Sequence, residues 1–221
     1  MRPMTIYTRV AIVCLAYALG SPVAADSTTL ILPTAPLPPS HMIDGVPLTG
    51  QCWNLSCAYA ATSAATGHFG KPIGQGTLVD AIGFDANPNK GFRGNLSGPW
   101  GGGADYGVYP GPILLALVQQ GFAHSYIFRA DPNLLRYAIT NDRPVVVWLL
   151  GTSGNVPRYE SESGGERFVL VPYEHAVTVY GYNETSVSVM DPAYPTYRAI
   201  PWEEFQAAWM KLDGMALAVA T

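Results

Sequence analysis

The chain has 221 residues, enough for one domain with a full hydrophobic core. A formal charge of −4 offers no basic surface for nucleic acid or an anionic membrane. Hydrophobic residues make up 48%, which argues against a disordered chain, while 23 glycines and 19 prolines predict a loop-rich one.

Residues 1–25 read as an export signal. Arg2 and Arg9 supply positive charge, VAIVCLAYAL is the apolar core, and SPVAA places small residues before a cut after Ala25. That core is too short for a membrane span and no later stretch resembles one, so the expectation is an exported, soluble domain. An uncleaved anchor is the rival reading. A cut after Ala25 removes Cys14 and leaves 10 basic against 16 acidic residues. Residues 26–46 are rich in proline and predict an extended lead-in laid over a domain that spans 47–221.

The first helix is expected from Cys57 to Phe69, capped by Ser56 and ended by Gly67 and Gly70. Residues 71–110 are glycine-rich. They predict a short helix near 76–83 and otherwise loop at the rim of a cleft. ILLALVQQG, 112–121, is a short helix stopped by Gly121, and HSYIFRA is extended. Asp131 caps and Pro132 begins a helix whose apolar face is Leu134, Leu135, Ala138 and Ile139. PVVVWLL, 144–150, is apolar without alternation and predicts a buried strand. GTSGNVPRYESESGGE reads as a loop or lid-like excursion. FVLVPYEHAVTVYGYN and SVSVMDP are the arms of a hairpin reversing at YNET. PWEEFQAAW predicts a helix burying Phe205, Ala208 and Trp209, and MALAVA a closing strand. Helices dominate the first half and strands the second, so the fold class is α+β. There is no internal repeat. The glycines at 101–103 open no helix and make a poor phosphate loop.

Chemistry gathers at four positions. Cys57, at the first turn of a helix, would lie near unpaired N–H groups and the positive end of the dipole, which favour thiolate, the nucleophile of cysteine acyl transfer. Gln51, just before that turn, is a candidate side-chain donor to an oxyanion. Centring the hairpin on YNET puts residue 177 opposite about 191. His175 has the parity of 177, so His175 and Asp191 share a face one diagonal step apart, within reach of a hydrogen bond. The carboxylate would then fix the ring's tautomer and leave the other nitrogen for Cys57. Glu174 should face the other side of the strand and is a weaker orienter.

Competing readings apply to the same residues. Cys52 and Cys57 could form a short-loop disulfide in an exported chain, leaving a silent binding module. Cys52, Cys57 and His175 with Asp191 or water could hold zinc on residue types alone. His41 and His68 have no ligand spacing. Trp148, Trp202 and Trp209 fall in core patterns, whereas Trp53 and Trp100 are placed near the cleft. Asn54, Asn95 and Asn183 each head an N-x-S/T triplet.

QCWNLSCAYAA, GVYPGPILLALVQQGF, ITNDRPVVVWLL, EHAVTVYGYNETSVSVMDP and IPWEEFQAAW together resemble the papain-like cysteine peptidases of the bacteriocin-processing (C39-like) type, in particular their stand-alone exported members. The resemblance spans roughly 47–220, and the HAVTVYGYN…VMDP block is its most specific part. It implies a papain-like fold with an N-terminal helical part on a C-terminal antiparallel sheet. It implies catalytic roles for Gln51, Cys57, His175 and Asp191, a peptide or protein substrate, and neither cofactor nor metal. Peptide-bond hydrolysis is the default reaction. Acyl transfer on the same scaffold is the alternative.

Overall fold

A computed structural model describes residues 36–221 and, as backbone, two short strands, β1 (Arg9–Ala11) and β2 (Thr29–Ile31), which pair antiparallel. Apart from these strands, the expected export signal, Cys14 and the start of the lead-in lie outside the described residues. Among the described residues no helix is long and apolar enough to cross a membrane.

The architecture is α+β: helices gathered early in the chain pack on a C-terminal antiparallel sheet, as in papain-like folds. The lead-in is extended over the domain from residue 36. Its strand β3 (His41–Met42) pairs with Tyr182 and Gly181, and Pro38 O accepts from the Tyr182 hydroxyl at 3.0 Å. Helix α1 (Cys57–Gly67) is buried along its whole length to Thr66. Only small side chains allow that: Ala58, Ala60, Ala61, Ala64 and Ala65 let neighbours approach on every side. Its hydroxyls are satisfied internally, with Thr62 donating to Ala58 O and Thr66 to Thr62 O. Gly67, inside the helix, has a packing reason, because a Cβ there would lie 2.6 Å from Pro47 Cγ of the lead-in. The helix stops two residues short of Phe69.

Helices α2 (Gln75–Ile82) and α3 (Pro110–Gln119) follow, then strand β4 (Tyr126–Arg129). Helix α4 (Pro132–Thr140) is capped by Asp131, whose carboxylate accepts from Asn133 and Leu134 N–H. Strand β5 (Val145–Leu150) is buried on both faces, as its unbroken apolar run requires. Two expectations fail next. Residues 159–170 form a hairpin, β6 (Tyr159–Ser163) with β7 (Glu166–Leu170), where a loop or lid-like excursion is expected up to Glu166. The YES-ES and ERFVL runs alternate weakly and reverse at Gly164-Gly165, both at positive φ, which is the hairpin signal that polarity concealed. The arm FVLVPYEHAV is therefore not one strand. It breaks at Tyr173, with φ of 63°, and β8 (Glu174–Tyr182) starts afresh.

β8 is the hub of the sheet. The main order is β10–β9–β8–β5–β11–β4, all antiparallel, where β9 is Ser186–Asp191, β10 is Thr196–Pro201 and β11 is Met215–Ala218. The β8–β9 reversal is held by the Asn183 carboxamide oxygen, which accepts from Thr185 N–H and Ser186 N–H. β10 was not anticipated, and helix α5 (Trp202–Lys211) follows it directly. One face of the sheet, with Val146, Trp148, Ala176 and Leu217, packs on α1, α2 and α3. The other, with Val147, Val177, Val189 and Ala216, packs on α4 and on Phe205 and Trp209 of α5.

The join between α1 and the sheet is polar at one point: Thr178 of β8 donates to Ala61 O at 2.8 Å with both residues fully buried. Thr178→Val keeps the shape and removes the donor. It should cost about 1–2 kcal/mol, read as a lower urea midpoint at unchanged slope.

Candidate active site

Cys57 is the first residue of α1, where the sequence placed it. Ser56 occupies the cap position, but its side chain does not cap the helix. The Ser56 hydroxyl is buried. It accepts from Trp53 N–H at 3.1 Å and lies 2.8 Å from Gln75 Oε1. Gln75, at the start of α2, was not singled out in the sequence. It clamps the loop before the helix, accepting from Cys52 N–H at 3.0 Å and donating to Gly50 O at 2.8 Å. With no capping oxygen on the first turn, the Ala58 N–H is near enough to the Cys57 sulfur to favour its ionised form.

The same sulfur lies within hydrogen-bonding reach of the Ala176 N–H. The paired part of β9 begins opposite Thr178, so Ala176 has no β9 partner. Cys57 is thereby set against the strand at the residue that follows His175.

Thr178 opposes Met190, a register that carries on to Val177 opposite Asp191. His175 is then diagonal to Asp191, and its Nε2 lies 2.7 Å from Asp191 Oδ1. Both side chains are buried. Burial pushes the Asp191 carboxyl up. The hydrogen bond and charge of His175, the Ala193 N–H and the charge of Arg198 outweigh it, and the carboxyl ends below its usual range. An ionised carboxylate only accepts, so Nε2 is the nitrogen that bears a hydrogen toward Asp191.

The loop of Gln51 is brought to this pair by its backbone: Gln51 N–H donates to Pro192 O at 3.1 Å, in the turn after Asp191. Its side chain is turned back on its own loop, with Nε2 donating to Trp53 O at 3.1 Å and Asn54 O at 2.8 Å. Both amide hydrogens are spent there, so oxyanion donation by Gln51 requires one of these bonds to be released.

The thiol does not rest as the helix position alone suggests. Burial pushes the Cys57 thiol well above its ordinary range, and the Glu174 carboxylate adds to this; the N–H groups of Ala176 and Ala58 pull the other way and do not prevail. Desolvation outweighs the helix terminus because the sulfur is almost fully enclosed. Glu174 is offset from His175 by strand alternation, and its charge reaches Cys57. It is buried, its Oε1 has no hydrogen-bond partner among the described residues, and burial raises its carboxyl to about 8.

Trp100 lies at the same rim. Its Nε1 donates to Glu174 O at 2.9 Å and its ring meets Tyr173 edge-on. Gly151 keeps room beside it, since a Cβ there would lie 2.8 Å from Trp100 and 3.0 Å from His175 Cβ. Trp53 is half-buried in the Gln51 loop, whereas Trp148 and Trp209 are wholly core. Cys52 and Cys57 are free thiols, one exposed and one buried. Among the described residues no three His, Cys, Asp or Glu side chains cluster as metal ligands would. His68 ties the end of α1 to Asp44 O and Asp142.

Solved structures share this fold. A Bacillus anthracis protein described as a C39-like peptidase superposes with a TM-score of 0.72 at 21% identity, covering 82% of this chain and 98% of that one. The peptidase domain of Streptococcus ComA, a bifunctional ABC transporter, gives 0.51 at 19% identity over 79% of this chain and 98% of that domain. Xylellain, a cysteine protease from Xylella fastidiosa, gives 0.51 at 10% identity over 84% and 87%. At these identities the likeness is one of fold. No curated protein matches the chain in a sequence search. The model of the Peptidase_C39 like family, however, matches residues 43–217, which takes in Gln51, Cys57, His175 and Asp191, and the chain therefore belongs to that family.

Proposed function

We propose that the chain is an exported cysteine hydrolase that cleaves amide bonds in peptides or proteins, using Cys57, His175 and Asp191. One observation carries the reading: the Cys57 sulfur sits against the residue after His175, whose ring is held through Nε2 by Asp191. The N-terminal signal pattern supports export.

Nδ1 of His175 takes the Sγ proton as the thiolate attacks the substrate carbonyl carbon. Charge develops on the carbonyl oxygen, and the first-turn N–H groups of α1, with Gln51 once its amide turns, are the available donors. The C–N bond breaks as the imidazolium returns the proton to the amine. Water, deprotonated by His175, then opens the thioester and frees the acid and Cys57. Since burial holds the resting sulfur as a thiol, proton transfer accompanies attack instead of preceding it.

A silent binding module is the second reading, favoured by that raised thiol and by the occupied amide of Gln51. The test is a mixed peptide panel incubated in H₂¹⁸O and followed by mass spectrometry. Hydrolysis gives new C-termini carrying one ¹⁸O, whereas an acyltransferase gives chiefly the amide of a competing amine. No new termini from any peptide, with Cys57 reactive to iodoacetamide in the folded protein, sinks the hydrolase in favour of the module.

Removal of the ring partner should also be visible. Asp191→Asn places a carboxamide opposite Nε2 and can reverse the tautomer. A loss of about 10²–10⁴ in kcat with little change in KM is expected from steady-state kinetics.

A further inference from the structure

Asp191 has a second partner that hydrolysis, as described, does not use. Oδ1 serves His175 and the Ala193 N–H, while Oδ2 lies 2.7 Å from an Arg198 guanidinium nitrogen. The register explains the reach: Asp191 opposes Thr196 across β9 and β10, and Arg198 is the diagonal neighbour on the same face. Arg198 is itself half-exposed. It stands in the wall of a cleft of about 530 Å³ between the end of β5, β10 and α5, with Glu204 and Lys211 nearby. Exposed ion pairs ordinarily hold little, but here the carboxylate is buried, with His175 at Oδ1 and the guanidinium as ion-pair partner at Oδ2.

We propose that Arg198 is a positioning residue: by holding Oδ2 of Asp191 it fixes the carboxylate plane, so that Oδ1 stays on Nε2 of His175 and the ring cannot exchange tautomers. The proposal rests on the hydrolase reading for its consequence, though not for its geometry. Two fixed oxygens leave the carboxylate no rotation, and a ring bonded to a fixed acceptor keeps Nδ1 directed away from it. The charged and titratable groups around Asp191 are His175 of β8, Arg198 of β10 and, more remotely, Cys57 of α1. Removing the guanidinium therefore takes away a cation that favours the ionised carboxyl, and removes a restraint.

The test compares the unmodified protein with Arg198→Met and Arg198→Lys. The Asp191 carboxyl is titrated by ¹³C NMR, and the His175 tautomer is read from its ¹⁵N shifts. In Arg198→Met the carboxyl should titrate about 0.5–1 pH unit higher, and the ring should show both tautomers. Arg198→Lys should lie between, because it keeps the charge and loses the rigid planar guanidinium. On a cleaved peptide, Arg198→Met should lower kcat about tenfold at unchanged KM, with the acid limb of the pH profile moved up in step. An unchanged titration and a single tautomer in Arg198→Met overturn the proposal, and so does the same null result in Arg198→Lys if the methionine variant fails to fold. If the unmodified protein cleaves nothing, the hydrolase reading fails, while the two NMR readouts still decide whether Arg198 holds the carboxylate.

Discussion

Cys57→Ala should abolish peptide cleavage, a fall of about 10⁴-fold or more in kcat, in a protein that folds as before. The two halves of that result have separate causes. Turnover requires a bond from sulfur to the substrate carbonyl, and alanine offers no atom that can form one. Stability barely depends on the thiol, because Cys57 sits in an alanine-rich helix among small neighbours and alanine is the better helix former. The change should stay within about 1 kcal/mol, read from urea unfolding, with an unaltered circular-dichroism spectrum. The raised thiol makes this variant decisive. A sulfur held protonated by burial is a poor nucleophile alone, so any cleavage it performs depends on His175 taking the proton. His175→Ala should then come within about tenfold of Cys57→Ala, since groups that act as one unit lose their joint contribution when either is removed. A Cys57→Ala protein that still cleaves would place the chemistry elsewhere and leave the buried thiol as packing.

Legibility in the sequence followed the strength of the local signal. α1, α4 and β5 were readable because each has one dominant cue: a run of small residues, Asp131-Pro132 ahead of an apolar face, and an apolar hexamer. The pairing of His175 with Asp191 was readable because alternation and a reversal at YNET put both residues on one face to within a residue, and the irregularity near Tyr180, which lies between the turn and the pair, shifts the register into the observed parity. β10 was not readable. Its residues are mostly exposed, so TYRAIP lacks the alternation that burial of one face imposes. Arg198 was lost with it, although treating 192–195 as a second reversal would have set Thr196 opposite Asp191 and Arg198 on the shared face. Gln75 and the state of the Cys57 thiol were out of reach for another reason. A side chain 19 positions from Ser56 that clamps a loop, and the exclusion of water around one sulfur, are products of packing and leave no local trace.

Glu174→Gln should flatten the dependence of stability on pH above about 5 and leave the protein more stable than its parent at pH 9. In the unfolded chain a glutamate gives up its proton near pH 4.3. In the folded protein burial holds that proton to about pH 8. Between these values the folded state binds more protons than the unfolded one, so stability falls as pH rises and levels off once both states are ionised. The full shift would correspond to roughly 5 kcal/mol. Water admitted on ionisation, and the unsatisfied amide that glutamine introduces, reduce the net gain at pH 9 to about 1–3 kcal/mol. Urea midpoints at pH 5, 7 and 9 measure it, and parallel pH dependences for parent and variant would show that Glu174 finds a partner when charged. The sulfur supplies an independent reading. Glu174 carboxylate raises the Cys57 thiol, so its removal should move iodoacetamide labelling of Cys57 to lower pH. An orienter of His175 would behave otherwise: its loss would disturb the ring and leave the thiol's titration in place. The Glu174 charge bears on Cys57, so neutralising it makes the nucleophile easier to ionise.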